Sequence, residues 1–463
     1  MGCEKKRAER ILGMPDGILL RSALRLKRGA VVSFVGAGGK TSAMFRLAAE
    51  LVENGWRVVT TTTTHLGEEQ VSAAPSALRP EELPMLRSRL DEFGHCLIVG
   101  SPDYQGRVRG VSTEFVAALH ARADVDAVLV EADGSRLHAF KAPAEHEPVV
   151  PYVTTYLVPT VGMEVIGRSL DGEYVHRPER VAQLASTALG SPITIETVAR
   201  VLAHPNGGGK QRPPDAELVP LLNKVDCTDG MLHAGALAGR LLRDVAVRRV
   251  ILGSMVAGMP VREVHSRVAG IVLAAGQATR FGSIKQLMPW KDSTLVARAA
   301  QVALDSGLDC VIVVTGQDAD RVGAAVASLP VQVVFNPAFA AGQSSSMRCG
   351  LAALPPGIDA ALFLLADQPG VTAEVVAALI QEHRKTLAPI ALPTYEGRRG
   401  NPVLFDASLF QELTRIEGDV GGRVLIERHA GSLHRVPVAE PGILEDIDTS
   451  EDLLRLCPDR RKS

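Results

Sequence analysis

Leu273-Ala274-Ala275-Gly276-Gln277-Ala278-Thr279-Arg280-Phe281-Gly282-Ser283-Ile284-Lys285-Gln286-Leu287 continues an apolar run that begins at Gly270. A short unbroken apolar run that enters a loop of small residues reads as a buried strand leaving a parallel sheet. Ala275 and Gly276 let the backbone close on an anion and offer it their amides. Arg280 and Lys285 set two cations on the same loop, matched to a triphosphate and to departing pyrophosphate. The same grammar occurs once earlier, where the run 31–35 leads into Gly36-Ala37-Gly38-Gly39-Lys40-Thr41 and then a helical apolar spacing. Two such units, more than a domain's length apart, predict two α/β domains, 1–266 and 267–463.

Around these loops, further strands are expected at 57–60, 96–99, 127–131, 218–222 and 249–252, alternating with helical stretches in the manner of a parallel sheet. The domain boundary falls near Ser266, in the short mixed segment 261–267. Residues 155–215 leave room for a smaller third unit. Within them, Asn206-Gly207-Gly208-Gly209-Lys210-Gln211-Arg212-Pro213-Pro214 reads as a mobile surface loop, since no apolar strand leads into its glycines.

The chain has 463 residues, 46% of them hydrophobic and 22% charged, the balance of a soluble globular protein. A net charge of -2 provides no global basic field, so neither nucleic acid nor a membrane surface is expected as a partner. No apolar run is long enough to span a bilayer, and Met1-Gly2-Cys3-Glu4 opens no signal core. The six cysteines, Cys3, Cys96, Cys227, Cys310, Cys349 and Cys457, include no CxxC pair or metal spacing and read as separate reduced thiols. A cytoplasmic protein is expected.

In the second half, Asp367-Gln368-Pro369 follows the apolar strand 361–366. A carboxylate at the carboxyl end of a strand can hold Mg²⁺ against an α-phosphate, or Asp367 can simply form the turn before Pro369. Asp448 can be a second ligand or can cap the helix that starts near Thr449. Gly342, Ser344 and Ser345, in Gly342-Gln343-Ser344-Ser345-Ser346, suit reading a base or clamping an acceptor phosphate, or serve as a helix entry. Asn401, after Arg398-Arg399-Gly400, is an acceptor-side contact or part of an exposed basic hairpin tip.

The ordered set LAAGxxxRFGxxK, Asn336-Pro337, GQSSSM, DQP, RGNPV and EDIDT resembles the MobA-like nucleotidyltransferases, and within them the molybdenum cofactor cytidylyltransferases, over residue 269 to about residue 457. That resemblance implies a Rossmann-like domain of the nucleotide-diphospho-sugar transferase type. It implies CTP as donor, Mg²⁺ as cofactor, molybdopterin or molybdenum cofactor as acceptor, and Arg280, Lys285 and Asp367 as catalytic residues. It also implies that 418–423 contacts the acceptor, although Asp419 can equally cap a helix. Ala274-Ala275-Gly276, in place of a Gly-Gly pair, leans toward CTP rather than GTP. A sugar-phosphate acceptor and a non-catalytic cofactor carrier are the rival readings.

In the first half, Gly36, Gly38 and Gly39 with Lys40 and Thr41 have the mechanics of a phosphate loop: Lys40 reaches the β- and γ-phosphates and the Thr41 hydroxyl ligates Mg²⁺. Phe34 stands where the standard motif has its first glycine, so the loop is short. The strand 127–131 ends in Glu131-Ala132-Asp133-Gly134, where Asp133 is a candidate Mg²⁺ ligand. Asn223-Lys224-Val225-Asp226 resembles the guanine-reading NKxD element, with Asn223, Lys224 and Asp226 as binding residues. Thr60–64 with His65 can present hydroxyls to a γ-phosphate, or can be strand formers. Lys141-Ala142-Pro143-Ala144-Glu145-His146-Glu147-Pro148 reads as an exposed polar loop or a metal site. The ensemble is similar to the YqeC family over roughly residues 15–260, described as accessory to selenium-dependent molybdenum hydroxylases. It implies a P-loop-like domain that binds GTP or ATP, with a hydroxylase apoenzyme as a possible partner.

Overall fold

The run that contains Val31 forms the strand Ala30–Gly36, buried along almost its whole length. In the computed structural model, which describes residues 17–103, 107–276 and 284–456, the chain is α/β throughout and divides into two units, Met1–His265 and Ser266–Ser463. The first unit carries one parallel sheet. Its order is Ala77–Leu78, His95–Ile98, Val58–Thr62, Ala127–Glu131, Ala30–Gly36, Tyr156–Gly162, then Glu217–Leu218 with Leu221–Asn223, and Arg249–Gly253. Both faces of the inner strands are buried, which is why they read as unbroken Val/Leu/Ile runs rather than alternating ones. Because the pairing is parallel, Gly36, Thr62, Glu131, Gly162 and Asn223 all lie at one edge of the sheet.

Tyr156–Gly162 is a central strand of this sheet that the sequence reading misses, and it ties the start of 155–215, where the sequence leaves room for a smaller third unit, into the first sheet. Pro159 conceals it, because a proline inside a run argues against a central strand. The ladder accommodates Pro159 through a gap. Pairing with the next strand stops at Leu157–Leu218 and resumes at Thr160–Leu221, so the missing amide falls where Val219 and Pro220 interrupt the partner. The glycine-rich stretch at 206–214 is a set of tight turns held by Gly208 N to Val201 O at 2.9 Å. Lys210 donates to the carbonyls of Ala144 and Glu145 at 2.6 and 2.8 Å. The two units meet between His265 and Ser266, inside the strand Val261–Ala274.

The second unit's sheet runs Gln332–Phe335, Cys310–Thr315, residues 267–274 of Val261–Ala274, Ile358–Leu365, Val403–Asp406, Ile390–Tyr395 and Leu433–Pro437. Only Val403–Asp406 is antiparallel to both neighbours. The carboxyl ends of 267–274 and Ile358–Leu365 lie side by side, Leu273 opposite Leu365, which sets the loop after Ala274 next to Asp367.

His95 couples the first unit to pH. It is buried beside the Thr60 hydroxyl, 2.8 Å from Nε2, and burial lowers its pKa to about 4. The unfolded chain takes up this proton near the ordinary histidine value, while the folded chain resists it down to about 4. Stability therefore falls as pH drops through that window, by up to about 3 kcal/mol from this one group. Urea unfolding of the parent and His95→Gln at pH 7 and pH 5 is expected to show the parent losing more than the variant. Equal losses would refute the assignment.

Candidate functional site

In the second unit Ala275 and Gly276, just past the strand, line a cleft of about 690 Å³ together with Lys285, Gln343 and Asp367. Ala275 is buried, and the buried Gln286 donates to the Gly276 carbonyl at 2.9 Å. Gln286 is a supporting residue that the motif reading passes over, because a lone Gln carries no spacing signal. Arg280 lies outside the described residues.

Lys285 Nζ is 2.8 Å from Asp367 Oδ2 and 2.8 Å from Asp448 Oδ1. Two carboxylates far apart in sequence thus converge on one cationic centre. Burial works against the Lys285 charge, but Asp367, with Asp448, more than restores it, and the pKa lies above the ordinary lysine value. Asp448 is not the helix cap. Thr449 Oγ1 accepts from Asp452 N at 3.2 Å and Asp452 Oδ2 accepts from Thr449 N at 2.9 Å, a reciprocal box that leaves Asp448 to face Lys285. A third carboxyl, Asp446, is hydrogen-bonded to Gln368; burial raises its pKa. Asp367 and Asp448 fit a hard divalent cation that keeps waters, with the ammonium marking where positive charge is held. No group of three or more His, Cys, Asp or Glu able to hold a metal occurs among the described residues.

Gly342 precedes the helix Gln343–Ala352 with φ +96°. A Cβ there would stand 2.8 Å from the Asp419 backbone, so glycine is required on both counts. Asp419 Oδ1 accepts from Gln343 N at 2.9 Å, placing a carboxylate at the helix's positive end. Ser344 and Ser345 are buried, their hydroxyls on the Gly418 and Gly342 carbonyls. They shape the loop, while Ser346 lines the cleft. Gly342→Ala is expected to push the 418–422 loop outward and raise KM by about tenfold, with a smaller change in kcat. An unchanged KM in steady-state assay would contradict that.

A second cavity of about 370 Å³ shares Leu273, Gln343 and Leu365 with the first and holds Arg398, Arg399, Asn401 and Arg423 against Met347 and Phe363. The arrangement joins a cleft with paired carboxylates to an arginine-rimmed, partly apolar chamber.

In the first unit the Gly loop meets a buried ion network. Lys40 Nζ donates to Gly36 O at 2.7 Å and lies 3.3 Å from Asp133 and 3.8 Å from Glu131. Thr41 Oγ1 donates to Glu131 Oε2 at 2.6 Å. The carboxylate beside Thr41 is therefore Glu131, not Asp133, which instead accepts from Gly36 N at 3.0 Å and pairs with Lys141 at 2.9 Å. Burial raises the Glu131 pKa, against the pull of Lys40. Lys141 also reaches Glu147 at 2.8 Å, which Arg177 grips at 2.7 Å, so the polar residues of 141–148 build an ion-pair network rather than a metal site. Lys141 and Arg177 have no sequence signal beyond their type.

Gly38 packs directly on the neighbouring strand, where a Cβ would stand 2.2 Å from Gly162 N. Asn223 pins the loop, donating to Gly38 O at 2.7 Å and accepting from Met255 N at 3.0 Å, while Gly39 lies directly against its amide. Lys224 is exposed and paired with Glu164, and Asp226 is exposed and paired with Arg262 at 3.3 Å. The hydroxyls of Thr60, Thr61, Thr62 and Thr63 bond His95, Ile98 O, Glu131 O and Val149 O. They close the sheet edge instead of presenting donors to a γ-phosphate.

Two family models match the chain: YqeC protein over residues 32–179 and MobA-like NTP transferase domain over residues 270–433. Protein YqeC of Escherichia coli K12 is 33% identical over 198 residues, 43% of this chain and 77% of that one. Nicotine blue oxidoreductase of Paenarthrobacter nicotinovorans is 32% identical over 196 residues, 41% of this chain and 96% of that one. Molybdenum cofactor cytidylyltransferase of Escherichia coli K12 is 26% identical over 192 residues, 41% of this chain and 95% of that one.

Proposed function

Since the chain belongs to the YqeC family in its first half and carries a MobA-like NTP transferase domain in its second, we propose that it transfers CMP from CTP to molybdopterin and releases pyrophosphate, while its first half binds and hydrolyses a nucleotide. The observation that carries this reading is the convergence of Asp367 and Asp448 on Lys285 beside an arginine-rimmed second chamber. A nucleotidyl transfer needs these two parts: a centre for the triphosphate and an adjoining berth for an anionic acceptor.

The cleft around Ala275 and Gly276 takes the nucleotide, with the loop backbone close to its phosphates. Arg398, Arg399, Asn401 and Arg423 hold the acceptor's phosphate end, and Met347 and Phe363 offer apolar surface to its ring. An acceptor phosphate oxygen forms the new bond to the α-phosphorus as the bond to the bridging oxygen breaks, and pyrophosphate leaves with the electron pair. Lys285 and Arg280 draw the charge that gathers on that leaving group. Asp367 and Asp448 would hold Mg²⁺, which would supply charge neutralisation at the α-phosphate.

CTP as donor rests on the Ala274-Ala275-Gly276 loop and on the likeness to a cytidylyltransferase. In the first half, Lys40 and Thr41 serve GTP or ATP, with Glu131 and Asp133 as the carboxylates nearest them. A molybdenum hydroxylase apoenzyme is the expected recipient of the product. No described helix is long and apolar enough to cross a membrane, and the cytoplasm is the proposed compartment.

Pyrophosphate release by the purified chain, with molybdopterin, Mg²⁺ and each NTP in turn, tests this reading. CTP-selective release is the expected result. Selectivity for GTP would replace the donor, and release only with a sugar phosphate would replace the acceptor.

A further inference from the structure

We propose that Asp133 is the built-in occupant of the first unit's anion site and that a nucleoside triphosphate binds there by displacing it. The proposal rests on the nucleotide-binding reading of the first half and adds what stands in the ligand's place before it arrives.

A phosphate entering the Gly loop needs free backbone amides and at least one ammonium. The loop has these groups, but three of its amides, those of Gly36, Ala37 and Gly38, already have acceptors. Gly36 N donates to Asp133 Oδ2 at 3.0 Å. Ala37 N donates to Thr160 O at 2.9 Å, and Gly38 N to His138 O at 3.1 Å. The Asp133 carboxylate also lies 3.3 Å from Lys40 and 2.9 Å from Lys141. One anion therefore bridges a loop amide and two ammonium groups, the contact set of a bound phosphate. The fit is incomplete: Asp133 is 1% exposed, yet its Oδ1 accepts no hydrogen bond. A tetrahedral phosphate, with more acceptor oxygens, would use donors that the planar carboxylate does not.

Two of these three acceptors, Asp133 and His138 O, belong to one short segment that follows Ala127–Glu131. That segment is strained. Arg136 and Leu137 are consecutive non-glycine residues with φ +50° and +64°, and the Leu137 side chain is 98% exposed. Left-handed backbone at two adjacent side-chain-bearing residues persists where surrounding contacts enforce it. Lys141 supplies one such contact, donating to Gly134 O at 2.6 Å. Moving residues 133–138 as a strap frees Gly36 and Gly38 together, relieves the backbone, and leaves Lys40 and Lys141 facing the vacated position. Lys40 retains Glu131, and Lys141 retains Glu147, so neither ammonium loses all its counter-charge when Asp133 departs.

The test is hydrogen–deuterium exchange on the full chain, titrated with MgGTP and with MgATP. Peptide-level readout separates this site from the cleft in the other half. With one of the two nucleotides, peptides covering 36–45 are expected to become protected while peptides covering 133–139 exchange faster. Asp133→Asn removes the competing charge and is expected to lower the half-saturating concentration for 36–45 by about tenfold, because the competent state no longer has to be drawn from a minor population. Lys40→Ala is expected to raise it. If 36–45 is protected while 133–139 is unchanged or slower, Asp133 stays in place and the proposal is overturned, with the nucleotide reading intact. The same holds if Asp133→Asn weakens protection as Lys40→Ala does. If neither nucleotide protects 36–45 in the parent or in Asp133→Asn, the nucleotide reading of this half falls, and the proposal with it. The parent titration needs no variant, so a poorly folded Asp133→Asn would not block the decision.

Discussion

Asp367→Asn is expected to lower pyrophosphate release by about 10²- to 10³-fold, with a much smaller change in nucleotide affinity. The substitution is nearly isosteric, so the strand Ile358–Leu365 and the turn after it should survive. What disappears is one of the two negative charges that meet at Lys285, each 2.8 Å away. Asp367 is held at the end of a buried strand, with its side chain 32% exposed, whereas the Asp448 side chain is 64% exposed. Asp448→Asn should therefore cost less, since a solvated carboxylate is more easily replaced by water. Lys285→Ala should also be severe. The double variant with Asp367→Asn should lose less than the product of the two single losses, because the residues act on one charge centre. A continuous pyrophosphate assay reads the four variants against the parent. Release by Asp367→Asn at the parent's rate would remove this residue from the chemistry.

Lys141→Met is expected to destabilise the first unit by about 3–5 kcal/mol, the scale for stripping one partner from a buried ion pair. The Lys141 side chain is fully buried against the side chains of Asp133, 2% exposed, and Glu147, 12% exposed. Burial alone would raise the Glu147 pKa, but Arg177 and Lys141 outweigh it and hold the carboxyl at about 2. Removing Lys141 leaves the buried Asp133 with Lys40 alone, and Glu147 with Arg177 alone. The network's stability is present at neutral pH. It is lost as pH falls from the ordinary glutamate range toward about 2 and Glu147 takes up its proton. Urea unfolding followed by Trp56 fluorescence, in a Trp290→Phe background, reports the first unit, since the chain has 2 tryptophans. A loss below about 1 kcal/mol would mean that this pair behaves like a surface ion pair.

Strands such as Ala30–Gly36 and Ala127–Glu131 were legible because each is a short, unbroken apolar run buried on both faces, a pattern that depends only on local composition. Tyr156–Gly162 was not legible. Its Pro159 is tolerated because of a gap in another strand, which is a fact about the pairing partner. The glycines of both loops announced themselves by spacing. Asp367 and Lys285 were readable from their positions after strands, and Asp448 was readable only as one of two alternatives. Thr449 and Asp452 form the cap themselves, which removes the capping alternative for Asp448. Lys141, Arg177, Gln286 and Gln368 carry no local pattern and became visible only through their partners.

By itself, the sequence determined the two α/β halves, the two Gly loops and the residue types able to handle phosphate, because strand burial and loop chemistry follow from local order along the chain. The tertiary structure alone decided which charges face which. It turned Asp133 onto the Gly36 amide and gave Thr41 to Glu131. It directed the Thr60–63 hydroxyls into the sheet edge. It brought Asp448 across to Lys285. The physical reason is range: apolar periodicity is read within a few residues, whereas an ion pair is fixed by the register of strands that lie far apart in sequence.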